Sequence, residues 1–159
     1  MRILLLIPAI AFSILSLGQI PEGVYGNSVV DFVYEHLGEK VGKGVCFDLV
    51  VQAHGGKKFL KKWDNKSKYK IAYVSGYKRK GIEEIQPGDV MLCGTYHIGV
   101  VLEINGDRIT FAHQNVGNGK ENQVRAYGKK IGVVEDSSVI ISYLLLAEKN
   151  KTFSFYRFN

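Results

Sequence analysis

Proline, cysteine and long apolar runs are all scarce in this sequence, and each scarcity closes off a class of protein. Three prolines against eighteen glycines and nine tyrosines describe a strand-rich, turn-rich body rather than a helical bundle. Two cysteines, Cys46 and Cys93, are too few for a stapled mini-scaffold, and a domain of 159 residues does not need the staple. The four histidines lack the short spacings of zinc sites, so no metal is expected, and no other cofactor is. The longest apolar run, Ile3 to Leu15, falls short of the roughly 20 residues that cross a bilayer. No internal repeat and no low-complexity linker divides the chain. With 46% hydrophobic and 23% charged residues, it suits one compact domain with a core of its own.

The apolar run reads instead as an export signal. Arg2 is its basic region and Ser16-Leu17-Gly18 its small-x-small cleavage site, so the mature chain is expected to begin near Gln19. No cysteine follows the run closely, which argues against a lipid anchor. The expectation is a signal peptide over residues 1–18 and a single domain over 19–159. That domain would be secreted or periplasmic, with no membrane span after cleavage, and would act as a monomer.

The formal net charge is +6, and loss of Arg2 with the signal lowers it by one. Much of the excess is Lys57, Lys58, Lys61, Lys62, Lys66, Lys68, Lys70, Lys78, Arg79 and Lys80, interleaved with Phe59, Trp63, Tyr69, Tyr73 and Tyr77. Such a pattern suits a nucleic-acid groove, another polyanion surface or a solvated face. Export makes nucleic acid an unexpected partner.

The chain turns from helices to strands. Asn27 or Ser28 can cap a helix bearing Val29, Val30, Phe32, Val33 and Leu37, which Gly38 ends. A second helix is expected over about 45–54, where Leu49, Val50 and Ala53 lie at helical spacing before Gly55-Gly56. The Lys-rich segment has poor periodicity, with a strand at Lys70–Val74. Gln86-Pro87-Gly88-Asp89 is a turn. Strands are expected at Val90–Cys93, His97–Ile104, Arg108–His113, Ile131–Val134, Val139–Leu146 and Thr152–Phe158, with Asn105-Gly106-Asp107 a hairpin signal. Helices followed by an antiparallel sheet indicate α+β.

Chemistry centres on Cys46. Gly42 and Gly44 precede it, and it opens the second helix, where the macrodipole and unpaired N–H groups favour a thiolate. A buried structural cysteine, or a Cys46–Cys93 disulfide in an exported chain, is the alternative. A thiol nucleophile needs a base, and the base needs a group to orient its ring. His36 and His54 lie near helix ends, where the dipole explains them. His97 instead begins a strand, with Gly99 leaving room two residues on, and His113 ends the next strand before Gln114-Asn115.

Taken in order, Gly44-Val45-Cys46, Pro87-Gly88-Asp89-Val90, His97-Ile98-Gly99-Val100-Val101 and Ile109-Thr110-Phe111-Ala112-His113-Gln114-Asn115 resemble the CHAP and NlpC/P60 amidase superfamily. The resemblance covers about residues 27 to 146 and implies a papain-like α+β fold. Carried over, Cys46 is the nucleophile and His97 the base. His113 is the orienter, with Asn115 as the fallback. CHAP proteins usually carry glutamate where His113 stands, and histidine there is the NlpC/P60 type. Asp48 reads as a first-turn helix residue rather than a catalytic acid. The implied activity is thiolate attack on amide bonds of peptidoglycan or other peptide substrates. A non-catalytic wall-binding module with a Cys46–Cys93 disulfide and an acyltransferase on the same fold are the alternatives.

Strand register bears on this site. A plain two-residue Asn105-Gly106 hairpin would set Ile98 opposite His113 and throw the two histidines to opposite faces. A three-residue loop, or a β-bulge between Arg108 and His113, would bring both to one face. One of these irregularities is therefore expected, with both histidines turned toward Cys46.

Overall fold

A computed structural model describes residues 27–95, 97–115, 129–131, 138–146 and 152–158. The expected signal peptide, the start at Gln19 and strand positions 132–134 lie outside the described residues.

Among the described residues three α-helices come first: α1 (Ser28–Glu35), α2 (Cys46–Ala53) and α3 (Lys57–Trp63). Asn27 caps α1, its side-chain oxygen accepting from the N–H groups of Val29 and Val30. The third helix is a correction to the expected aperiodic Lys-rich segment. It is seven residues long and buries Phe59 fully, with Trp63 half-buried one turn on, while its four lysines face outward or skirt the core. Two anchors at i and i+4 are too few to register as a periodic pattern.

Eight strands among the described residues form one antiparallel sheet. They are β1 (Lys70–Ser75), β2 (Lys78–Lys80), β3 (Val90–Cys93), β4 (His97–Asn105), β5 (Arg108–His113), β6 (Lys129–Ile131), β7 (Ile140–Leu145) and β8 (Thr152–Tyr156). Their order is β2-β1-β8-β3-β4-β5-β7-β6, so the last strand returns to the middle of the sheet between β1 and β3. Strand β2 is a further addition to the Lys-rich segment, for which only the Lys70–Val74 strand is expected: Lys78, Arg79 and Lys80 are all exposed on the edge, where charge discourages further pairing. The architecture is α+β, with helices first in sequence and the antiparallel sheet after them.

The sheet buries both faces. On one, Val30, Val33, Leu49, Val50, Ala53 and Phe59 of the helices pack on Val90, Ile98, Val100, Leu102 and Ala112. On the other, Val74, Met91, Val101, Ile109, Phe111, Leu144, Phe153 and Phe155 pack together. That second cluster runs across the sheet from Val74 on β1 to Leu144 on β7.

The Gln86–Asp89 turn forms as expected: Asp89 N–H donates to Gln86 O at 3.1 Å, and Gly88 holds φ +90°. Asp89, 3% exposed, then receives Arg157 through Nε and Nη2, each at 2.9 Å, which ties the start of β3 to the chain end after β8.

Candidate active site

The approach to Cys46 is coiled. Gly42 and Gly44 hold φ of +60° and +84°, a region that L side chains rarely adopt. Asp48 on α2 fixes this loop, its Oδ2 accepting the Lys43 N–H at 2.7 Å. That contact gives the acid a structural role within the first helical turn. Cys46 is half-buried at the first position of α2, after an extended Val45 that offers no side-chain cap. Asp48 N–H in the first turn donates to the Val45 carbonyl at 3.0 Å, and a helix start leaves its first N–H groups without partners inside the helix.

The histidines come from β4 and β5, and the hairpin between them decides their placement. Asn105 pairs with Arg108, Ile104 with Ile109 and Glu103 with Thr110, so the loop is the two residues Gly106-Asp107. Beyond that point Val101 pairs with Phe111 and Val100 with Ala112, leaving Leu102 as one extra residue on β4. The expected irregularity is present as a bulge, on β4 rather than between Arg108 and His113, and the three-residue loop is not formed. The bulge shifts the register by one, which restores the pairing that a three-residue loop would have set. Gly99 then falls beside His113. A Cβ there would lie 2.5 Å from the Ala112 carbonyl oxygen and 3.4 Å from His113 Cβ.

His97 and His113 consequently share a face. His97 Nε2 lies 2.6 Å from His113 Nδ1, the rings meeting edge to face at 81°. His113 Nε2 in turn lies 2.7 Å from Ser142 Oγ on β7. All three residues are buried, and Ser142 is fully so. Burial disfavours the imidazolium and pulls the His97 pKa down from 6.5 to about 4. The ring is therefore neutral at physiological pH.

Cys46 and His97 line one cavity of about 270 Å³, walled by Phe47, Trp63, Leu92 and Ile98, with Thr95 at its edge. A thiol–imidazole contact in a site of this kind commonly tightens only when substrate binds. His113 does not line the cavity but stands behind His97, which corrects the expectation that both histidines turn toward Cys46.

Of the two orienters suggested by sequence, His113 is the one that reaches His97. Asn115 is exposed, with its backbone in the left-handed region at φ +62°, which asparagine tolerates better than most residues. Ser142 was not anticipated. Its only signal is a serine between Ile140 and Leu144, where strand alternation calls for an apolar side chain.

The remaining candidates stand apart. No disulfide joins Cys46 to Cys93, which corrects that alternative. Cys46 packs with the helix-side cluster and Cys93 with the cluster on the other face of the sheet. His36 and His54 cap α1 and α2, their Nδ1 atoms 2.8 Å from Phe32 O and 2.9 Å from Val50 O. Among the described residues no three His, Cys, Asp or Glu side chains gather as metal ligands.

No protein-family model matches the chain, and no curated protein does. Solved structures of similar shape include one described as the crystal structure of Ly7917, with 15% identity and a TM-score of 0.46, covering 82% of this chain and 61% of that one. A second is Ly7917 with the hydrolyzing product of MDP, at 16% identity and a TM-score of 0.45, covering 82% and 62%. This chain thus spans about three-fifths of the length of those structures.

Proposed function

We propose that this chain is an exported cysteine hydrolase of the CHAP and NlpC/P60 type, with a papain-like α+β fold, that cleaves amide bonds in peptidoglycan peptides. The observation that carries the reading is the buried line His97–His113–Ser142, which ends on the cavity that also holds Cys46. A neutral imidazole oriented from behind, across a cavity from a thiol at a helix start, is the arrangement that nucleophilic acyl transfer needs.

The proton placement follows from the hydrogen bonds. For His97 Nδ1 to accept the Cys46 proton, Nε2 carries the hydrogen and donates to His113 Nδ1. His113 then carries its own hydrogen on Nε2 and donates to Ser142 Oγ. Because His97 is neutral, it takes the thiol proton as Sγ attacks the amide carbonyl. The Cys46 N–H at the start of α2 faces the developing oxyanion as one donor. His97 returns the proton to the amine as the C–N bond breaks, leaving a thioester on Cys46. Water attacks the thioester, gives a proton to His97, and the carboxylate leaves as the thiol re-forms.

Turnover of peptide amides by the mature protein tests the assignment. Cys46→Ala should abolish turnover with the melting temperature nearly unchanged, while Cys93→Ala keeps most activity. Equal activity in wild type and Cys46→Ala refutes the thiol mechanism. Export has its own check: secreted protein should begin at or near Gln19, and intact Met1 in a soluble cytoplasmic pool contradicts it.

A further inference from the structure

Gln114 follows His113 directly and is 0% exposed, yet nothing in the acyl-transfer scheme uses it. Its amide reaches the loop that carries the nucleophile. Nε2 donates to Val41 O at 2.9 Å and to Val45 O at 2.6 Å, and Oε1 accepts the Val41 N–H at 3.2 Å. Both donors and the acceptor of a buried amide are thus engaged by backbone, and by one loop only.

The two ends of that bridge matter. Val45 is the residue before Cys46 and caps α2 without a side-chain bond of its own. Gln114 is joined by a single peptide bond to His113, which holds His97 Nε2. Asn115, at φ +62°, turns the chain immediately after it. Nucleophile and base sit on different elements and line one cavity. The Gln114 amide is a polar connection that spans from the histidine strand to the cysteine loop.

We propose that Gln114 is a positioning residue that sets the distance between Cys46 and His97. This rests on the thiol mechanism proposed above, and it goes beyond that mechanism by assigning the residue that holds its two halves in register. The loop passes through positive φ at Gly42 and Gly44 and is held from two sides: Asp48 secures Lys43 from the helix side, and Gln114 secures Val41 and Val45 from the sheet side. A displacement of about 1 Å at a reacting pair costs on the order of 100-fold in rate.

The test uses Gln114→Met, which keeps volume and removes all three bonds, and Gln114→Glu, which keeps shape. Two readings are taken: kcat and KM on a peptide amide, and the rate at which iodoacetamide alkylates Cys46 with Cys93 as internal control. Gln114→Met should lower kcat by about 100-fold with KM within about twofold, and slow Cys46 alkylation relative to Cys93. A lowered melting temperature with kcat and the Cys46:Cys93 ratio unchanged overturns the proposal and leaves Gln114 a structural residue. If wild type turns over no amide, the hydrolase reading fails, and the alkylation ratio still decides the role of Gln114.

Should Gln114→Met not fold, Gln114→Glu decides. Its carboxylate faces two carbonyl oxygens, whereas the protonated acid can donate to one of them. The Cys46 alkylation rate of Gln114→Glu, divided by that of wild type at each pH, should therefore rise as pH falls from 7 to 5. His97, His113 and Asp48, the other ionisable groups that face this loop and the histidine pair, are present in both proteins, so the quotient isolates position 114. A flat quotient overturns the proposal.

Discussion

Replacing His97 by glutamine removes one titration from the folded state, and the structure gives the size and sign of what is lost. His97 is 4% exposed, and burial lowers its pKa from 6.5 to about 4. In the unfolded chain the ring takes up a proton near pH 6.5, while in the folded protein it resists until about pH 4. The unfolded state therefore binds more protons across that window, and folding loses stability as the pH falls through it. At 1.36 kcal/mol per pH unit, the interval from 6.5 to about 4 amounts to about 3 kcal/mol. That contribution is fully present above pH 6.5, drains away towards pH 4 and changes no further below. Urea unfolding followed by the fluorescence of Trp63, the single tryptophan, measures it. Wild type minus His97→Gln should change by about 3 kcal/mol between pH 7 and pH 4, with wild type losing ground as acid is added. A difference that stays flat across the window refutes the burial of a neutral His97, and with it the base assigned here.

The hairpin and the strand behind it give two further expectations. Gly99→Ala places a Cβ 2.5 Å from the Ala112 carbonyl oxygen, so β5 must move away and take His113 with it; a loss of about 1–3 kcal/mol on urea unfolding, with kcat down on the order of 100-fold, is expected. Unchanged kcat in a folded Gly99→Ala protein contradicts the need for that close approach. Ser142→Ala takes the hydroxyl from His113 Nε2 and should cost about 1–3 kcal/mol, the penalty of a buried polar group losing its hydrogen bond. Because the ring is then less firmly oriented, kcat should fall while KM holds, and Ser142→Thr should restore part of the rate.

What could be read from the sequence divides by the range of the forces involved. The α2 start was legible because the glycines, Cys46 and the apolar spacing of Leu49, Val50 and Ala53 lie within a dozen residues. The β4–β5 hairpin was legible as a hairpin, since Asn105-Gly106-Asp107 is a local turn signal. Its register was not. Positions 97 to 102 are all buried, so β4 shows no alternation to mark the face of each residue or to betray the bulge at Leu102. A helix with two anchors, Phe59 and Trp63, and an edge strand made wholly of Lys78, Arg79 and Lys80 also lack the periodicity that sequence reading relies on. Ser142 and Gln114 meet their partners only through the folded sheet, Gln114 across 69 and 73 positions of chain. Nothing local announces such contacts. The same long-range geometry kept Cys46 and Cys93 in separate clusters, where the sequence left a disulfide open.

The central claim is that Cys46, served by His97, breaks amide bonds in cell-wall peptide. Purified peptidoglycan incubated with the mature protein, and assayed for newly released amine termini, tests it most directly. Wild type should release amines steadily, and Cys46→Ala and His97→Gln should release none above the protein-free control. Release by Cys46→Ala at the wild-type rate, or none by any of the three, contradicts the account.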